Sequence, residues 1–258
     1  MTKVLAIAGR DVRSWLNAFS FYLLASFFFA VTGYFFWSDL SYFSLVSFQA
    51  ATNPALEVKG LNLTEGVLSL FLANVAFLML LLIPLLTMRS FAEDKRSGML
   101  ELVFTYPVSD LQIVLGKFLA LGSILLVLIT PTAAYFWLAE VVGARFETAT
   151  LLTGYLGLLL VGGSFAALGM FMSSLTEHQA ISAGVGFAIL LFFWVVGWMA
   201  EWTSPALGVI FRELSLVEHF RDFTRGVVDT RDLIFFALFI GFFLFATLCT
   251  LEVRTWKR

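Results

Sequence analysis

Residues 66–88 carry no charge, and apolar stretches of similar length recur at about 16–37, 113–138, 150–174, 180–200 and 233–251. A helix needs about 20 apolar residues to cross roughly 30 Å of hydrocarbon at about 1.5 Å per residue, so each stretch can span a bilayer. Transmembrane barrel strands are shorter and alternate in polarity. In hydrocarbon only helices and closed barrels satisfy their own backbone, so continuous runs mean helices. Composition agrees: 60% of residues are hydrophobic, 13% are charged, and mean hydropathy is +0.93, far from a soluble domain. The expected fold is an all-α polytopic membrane protein of six transmembrane helices, forming a single domain over residues 1–258.

Six spans put both termini on one side. Grouping the termini with the 89–112 segment and the 175–179 turn collects 10 of the 16 Lys and Arg there, against seven of the 18 acids. The positive-inside rule makes that side, and both termini, cytoplasmic. Near the start, Val4, Leu5, Ile7, Ala8 and Val12 lie toward one face, flanked by Lys3, Arg10 and Arg13. That pattern reads as an N-terminal helix lying in the membrane interface. A cleaved secretory signal is the alternative, disfavoured because the first apolar run is too long for an h-region and lacks a small-residue cleavage site.

Local chemistry marks several boundaries. Ser109 with Gln112, Thr176 with Gln179 and Ser215 with Glu218 have capping-box spacing, and Thr230 and Asp232 stand where they can cap the sixth span. Pro107 stops any preceding helix, Ser204-Pro205 suits a helix start, and Gly226 suits an end. Small residues four apart, Gly162/Ala166 and Ala180/Gly184/Ala188, permit close helix packing. Between spans five and six, Leu216, Phe220, Phe223 and Val227 share one face, while Glu218, His219, Arg221, Asp222 and Arg225 cover the other. Two short re-entrant helices are expected there, dipping into the outer leaflet, with Phe220 and Phe223 either lining an outer gate or anchoring in lipid. Residues 38–65 hold turn residues (Asn53, Pro54, Gly60) and receive no further assignment.

Some chemistries find no support. No ionisable residue sits mid-span, where ion-coupled carriers keep them at high energetic cost. Asn74 reads as an interhelical hydrogen bond and Pro131 as a kink. Gly116-Lys117 lacks the upstream glycine and following Ser or Thr of a phosphate-binding loop, so any ATP is hydrolysed elsewhere. His178 and His219 are expected on opposite sides of the membrane and so share no metal. The single cysteine, Cys249, lies in the last span and supports no disulfide framework. Ser164, after two glycines, reads as a small residue at a packing seam rather than as a nucleophile.

The charge is concentrated between spans two and three. From Phe91 to Thr105, Phe91, Met99, Leu102 and Val103 separate from Glu93, Asp94, Lys95, Arg96 and Glu101, predicting an amphipathic helix under the membrane. The run EDKRSGMLEL (93–102), with Tyr106-Pro107-Val108-Ser109 and then Val114-Leu115-Gly116-Lys117, resembles the same loop in permeases of the ABC-2 type. Those read E-R-x-x-G-T-L-E-L, P-V-S and a later G-K. Asp94 to Gly98 carry the match, and Met99 stands where threonine is usual. A second stretch, Leu214-Ser215, Glu218-His219-Phe220, Phe223 and Arg225 to Asp232, resembles the outer segment of the gliding-motility-associated permease branch, and less closely permeases of copper-enzyme maturation.

The resemblance implies a half-transporter in the inner (cytoplasmic) membrane. Two six-span permeases, identical or related, face each other. Each rests a cytoplasmic coupling helix in a cleft on a separate ABC ATPase subunit, which binds the ATP and Mg; this chain is no enzyme and carries no cofactor of its own. Glu93, Asp94, Lys95, Arg96, Gly98 and Glu101 are the expected coupling residues, and Phe220, Phe223, Arg225 and Gly226 the expected outer gate. The implied function is ATP-driven export or transbilayer movement. The alternatives are a force-transducing or scaffolding subunit that moves no solute, and a passive channel or ion-coupled carrier, the last disfavoured by the uncharged spans. Nothing in the composition points to nucleic acid.

Overall fold

The computed structural model describes residues 2–52, 63–98, 108–141 and 143–255. The described residues form helices and no strands: α1 (Thr2–Asn17), α2 (Phe19–Thr52), α3 (Ser69–Thr87), α4 (Arg89–Arg96), α5 (Asp110–Ile129), α6 (Ala133–Val141), α7 (Thr148–Leu175), α8 (Gln179–Val195), α9 (Pro205–Leu214), α10 (Leu216–Thr224) and α11 (Thr230–Thr255). A π-turn at Thr64–Leu68 leads into α3, and 3-10 turns at Thr130–Thr132 and Val196–Trp202 follow α5 and α8. Six of the resulting helical rods are long and apolar enough to cross a membrane.

α7 is the hub: 78% of its most apolar window is buried, against 22% for α2 and α11. Its glycines let neighbours close in. A Cβ on Gly157 would lie 2.6 Å from the Phe223 Cβ, and one on Gly162 would meet Met79 and Leu125. Gly162 and Ala166 therefore pack inward as expected, whereas Ala180, Gly184 and Ala188 are exposed. Span five turns Ser182, Ala183, Gly186 and Leu190 inward instead, so the pairing of small residues expected inside the chain holds for α7 and not for α8. Ser164 is fully buried, with its hydroxyl donating to the Leu160 carbonyl.

The first span differs most from its expected bounds, continuing past Trp37 to Thr52. The extension has no Pro or Gly, and its Ser47 and Thr52 hydroxyls donate back to the Phe43 and Phe48 carbonyls within the helix. At 34 residues it is roughly 50 Å long, more than the hydrocarbon needs. Asp39 thereby falls inside a spanning helix, about 30 Å along from Phe19 by helical rise, and accepts a hydrogen bond from Asn74 Nδ2 at 3.3 Å. Asn74 makes the expected interhelical bond, but to a carboxylate that the shorter span had excluded.

The boundary chemistry divides similarly. Ser109 and Gln112 form a complete capping box on α5, with Gln112 N–H donating to Ser109 Oγ and Ser109 N–H to Gln112 Oε1. Pro131 sits in the 3-10 turn that interrupts the third rod. The Thr176/Gln179 box does not form: His178 is the N-cap residue of α8, and Thr176 Oγ1 accepts from the His178 N–H. At α10, Ser215 is the N-cap residue, but its hydroxyl makes no cap bond, and the Glu218 side chain pairs with Arg221 instead of turning back to it. At α11, Asp229 Oδ1 accepts from the Arg231 N–H, while Asp232 is committed to His219. Gly226, at φ +84°, ends α10 as expected: its N–H donates to the Phe223 carbonyl and that of Val227 to the Asp222 carbonyl, the Schellman pair.

Candidate functional site at the Lys117 end of the bundle

Of the amphipathic helix expected over 91–105, the structure describes residues 91–98, and 99–105 lie outside the described residues. Helix α4 stops at Arg96, where Ser97 N–H donates to the Glu93 carbonyl and Gly98 adopts φ +70°, a left-handed turn that glycine makes without penalty. Glu101 and Pro107 lie outside the described residues.

Helix α4 is set off from α3 at Met88 and fastened to the end of α7. The Ser173 hydroxyl, fully buried, accepts from the Phe91 N–H (3.1 Å) and the Ala92 N–H (3.0 Å) and donates to the Met88 carbonyl (3.0 Å). A hydroxyl has one hydrogen and two lone pairs, so its capacity is filled. Inserted in the i→i−4 ladder, the side chain makes the break between α3 and α4 without leaving buried groups unpaired. One residue on, Lys95 Nζ donates to the Ser174 carbonyl.

The second attachment is ionic. Lys117, 5% exposed, lies with Nζ 2.6 Å from Asp94 Oδ2 and 3.3 Å from Asp11 Oδ2, and 5.2 Å from the centre of the Phe91 ring. One ammonium thus ties α4 to α5 and to α1. Its neighbour Gly116 makes the approach possible, because a Cβ there would come 2.8 Å from an Ile7 methyl and 3.2 Å from the Val4 carbonyl oxygen. Helix α1 exists as expected, but its Ile7 face packs on α5 as well as meeting the surroundings. Arg89 completes the end by donating to Ser20 Oγ at 3.2 Å and lying 5.8 Å from the Trp15 ring centre. A cleft of about 400 Å³ opens between these helices, bordered by Asp11, Trp15, Arg89, Glu93, Asp94 and Lys117 among others.

The expected coupling residues therefore separate into two sets. Asp94 and Lys95 point into the bundle and hold α4 in place, whereas Glu93 and Arg96 are exposed. Lys117, Asp11 and Ser173 were not among the expected site residues, though the Gly116-Lys117 pair was part of the recognisable pattern. At the opposite end, Phe220 and Phe223 are 2% and 0% exposed and pack over Gly157, so they are core residues here and not lipid anchors. Arg225 and Gly226 form the C-terminal turn of α10. Val227 is exposed and His219 buried, the reverse of the faces expected for them.

Comparison with known proteins adds a family. Residues 47–217 match the family described as ABC-2 family transporter protein. That stretch runs from the end of α2 into α10 and includes the α4 attachment except for its partners Asp11, Trp15 and Ser20. No curated protein matches the chain. On this match the chain belongs to the ABC-2 transporter family.

Proposed function

We propose that this chain is the membrane-spanning permease subunit of an ATP-driven transporter, and that α4 receives the push of a separate ATPase subunit at the cytoplasmic surface. Membership of the ABC-2 family supports a non-catalytic membrane component working with an ABC ATPase. The observation that carries the coupling reading is the fastening of α4 to four other helices, through Ser173 and Ser174 of α7, Lys117 of α5, Ser20 of α2 and, across Lys117, Asp11 of α1. A lever so tied transmits displacement rather than absorbing it. Glu93 and Arg96, on its exposed side, are the contacts for the partner. The substrate crosses or changes leaflet as the spans shift; Phe220 and Phe223 close the far end by their packing on Gly157. A second permease sits against the exposed small residues of α8.

The test is reconstitution with the ATPase subunit and the double reversal Glu93→Lys/Arg96→Glu. Transport is expected to fall at least about tenfold while the permease's melting temperature is unchanged, since neither side chain is buried. Unaltered coupling would sink the assignment. Asp94 is the wrong residue for this test, because reversing it breaks the internal pair with Lys117. The narrower resemblance to gliding-motility permeases favours a second reading, force transmitted without a solute. ATPase activity that no solute stimulates, with an intact α4 contact, would select it.

A further inference from the structure

His219, 6% exposed, lies with Nδ1 2.6 Å from Asp232 Oδ1 and Nε2 3.1 Å from the Glu213 carbonyl oxygen. A carbonyl oxygen only accepts, so Nε2 carries a hydrogen. A neutral ring protonated at Nε2 would turn the Nδ1 lone pair onto a carboxylate, and two lone pairs are not held at 2.6 Å. A proton therefore lies between Nδ1 and Asp232 Oδ1, whichever atom owns it. Asp232 Oδ2 is buried with no hydrogen-bond partner, and among the described residues His219 is the one base within ion-pair distance of this carboxylate. The adjacent Arg231 is turned to the Glu213 carboxylate instead.

We propose that His219 and Asp232 form a proton-binding site, and that the bound proton latches the segment between the fifth and sixth spanning helices onto the last one. Three elements meet at the proton: the last turn of α9 through the Glu213 carbonyl, α10 through His219, and the first turn of α11 through Asp232. Phe235 stacks on the imidazole at 3.9 Å with an interplanar angle of 19°, fixing the ring plane. Removing the proton leaves no arrangement that keeps both bonds. Either Nε2 gives up its hydrogen bond to Glu213, or Asp232 remains a buried carboxylate with no donor on either oxygen and no opposing charge, which is strongly unfavourable. The latch is thus closed when protonated and released as pH rises. Its charged and titratable surroundings are Arg212 and Glu213 on α9, Glu218 and Asp222 on His219's own helix, and Asp229 and Arg231 at the start of α11; with the pair they border a cleft of about 330 Å³ that gives protons access. Release would loosen the helix that carries Phe220 and Phe223 over Gly157. The inference does not depend on the transport reading, because no ATPase enters it.

The chain has two histidines, so the full-length protein in lipid nanodiscs, with ¹⁵N-labelled imidazoles and His178→Gln, gives a single ring to read by NMR. A strongly deshielded proton shared between Nδ1 and Asp232 is expected beside the Nε2 proton, and the shared-proton signal is lost as pH rises. In parallel, spin labels at the exposed positions Leu207 and Val228, in a Cys249→Ala background, report the latch. Their distance distribution should broaden with rising pH in the otherwise unaltered pair and become independent of pH in His219→Gln and Asp232→Asn. A shared-proton signal that is absent, or that does not change, at every pH from about 5 to about 8, or label distances insensitive to pH with the pair intact, would overturn the proposal; the NMR arm needs no substitution in the pair and so stands even if those variants fail to fold.

Discussion

Lys117 answers a cost that two carboxylates would otherwise impose on each other. Asp94 and Asp11 both lie within ion-pair distance of its ammonium, and the Lys117 side chain is 6% exposed against 17% for each acid. Removing one member of such a buried cluster costs more than the cluster contributes, because the survivors keep their charge without a partner. Lys117→Met should therefore lower stability by about 3 kcal/mol, read as a drop in the melting temperature of the detergent-solubilised chain. The triple variant Lys117→Met/Asp94→Asn/Asp11→Asn, which removes charge from all three, should recover most of the loss. If the triple variant is no more stable than Lys117→Met, the lysine acts by packing on Phe91 and Ile7's helix rather than by charge. Asp11 was unreadable as a partner in the sequence, since it stands 106 positions from Lys117 and no local spacing relates them.

At the scale of elements, what the sequence disclosed was whatever depends on neighbours a few positions away. Spans two to six fall near their expected places because hydropathy over about 20 residues is a sufficient signal for them. The Ser109 capping box was legible because both its bonds close over three residues. Thr176 and Asp232 had the same local credentials, yet a shifted N-cap and a tertiary partner took precedence, while Ser215 holds the N-cap position without a side-chain bond. The extension of α2 was missed because a falling hydropathy looks like a helix end even where the polar side chains bond back onto their own helix. Close approach between helices was only partly legible: the four-residue spacing found Gly162 but not Gly157, which faces Phe223. Gly157→Ala would bring its methyl 2.6 Å from the Phe223 Cβ, forcing α10 away from α7 at about 1–3 kcal/mol. A Phe223→Gly background removes that Cβ together with the ring, so a double-mutant cycle should show coupling of at least about 1 kcal/mol. Additive losses would mean that α10 shifts as a unit without strain at this contact.

Considered whole, the molecule is unevenly enclosed. The hub α7 is covered by its neighbours, but only 33% of the apolar window of the fifth rod and 22% of those of α2 and α11 are buried. Trp37, partway along α2, and Trp198 and Trp202, at the far end of the fifth rod, are exposed about 27–35 Å by helical rise from the ends nearer Lys117. That spacing matches aromatic anchoring at one membrane interface. Lipid alone can cover bulky exposed faces such as Phe242 and Phe245 of α11. Lipid gains nothing special from Ala180, Gly184 and Ala188, whereas a second helix does, because small side chains allow backbones to approach and van der Waals contact drives association where no hydrophobic term is available. The proposed permease pairing therefore predicts a clean separation of effects. A Cβ at Gly184 meets nothing within 4 Å inside the chain, so Gly184→Leu should fold with an unchanged melting temperature. Between subunits the added side chain would hold two helices apart, and a loss of about 1.4 kcal/mol in association corresponds to a tenfold weaker dimer. Förster transfer between labelled permeases, diluted stepwise in liposomes, measures this directly. Equal transfer from Gly184→Leu and the unaltered chain at every dilution would place the subunit contact on another face, leaving the exposed flanks of α2 and α11 as the surfaces to probe.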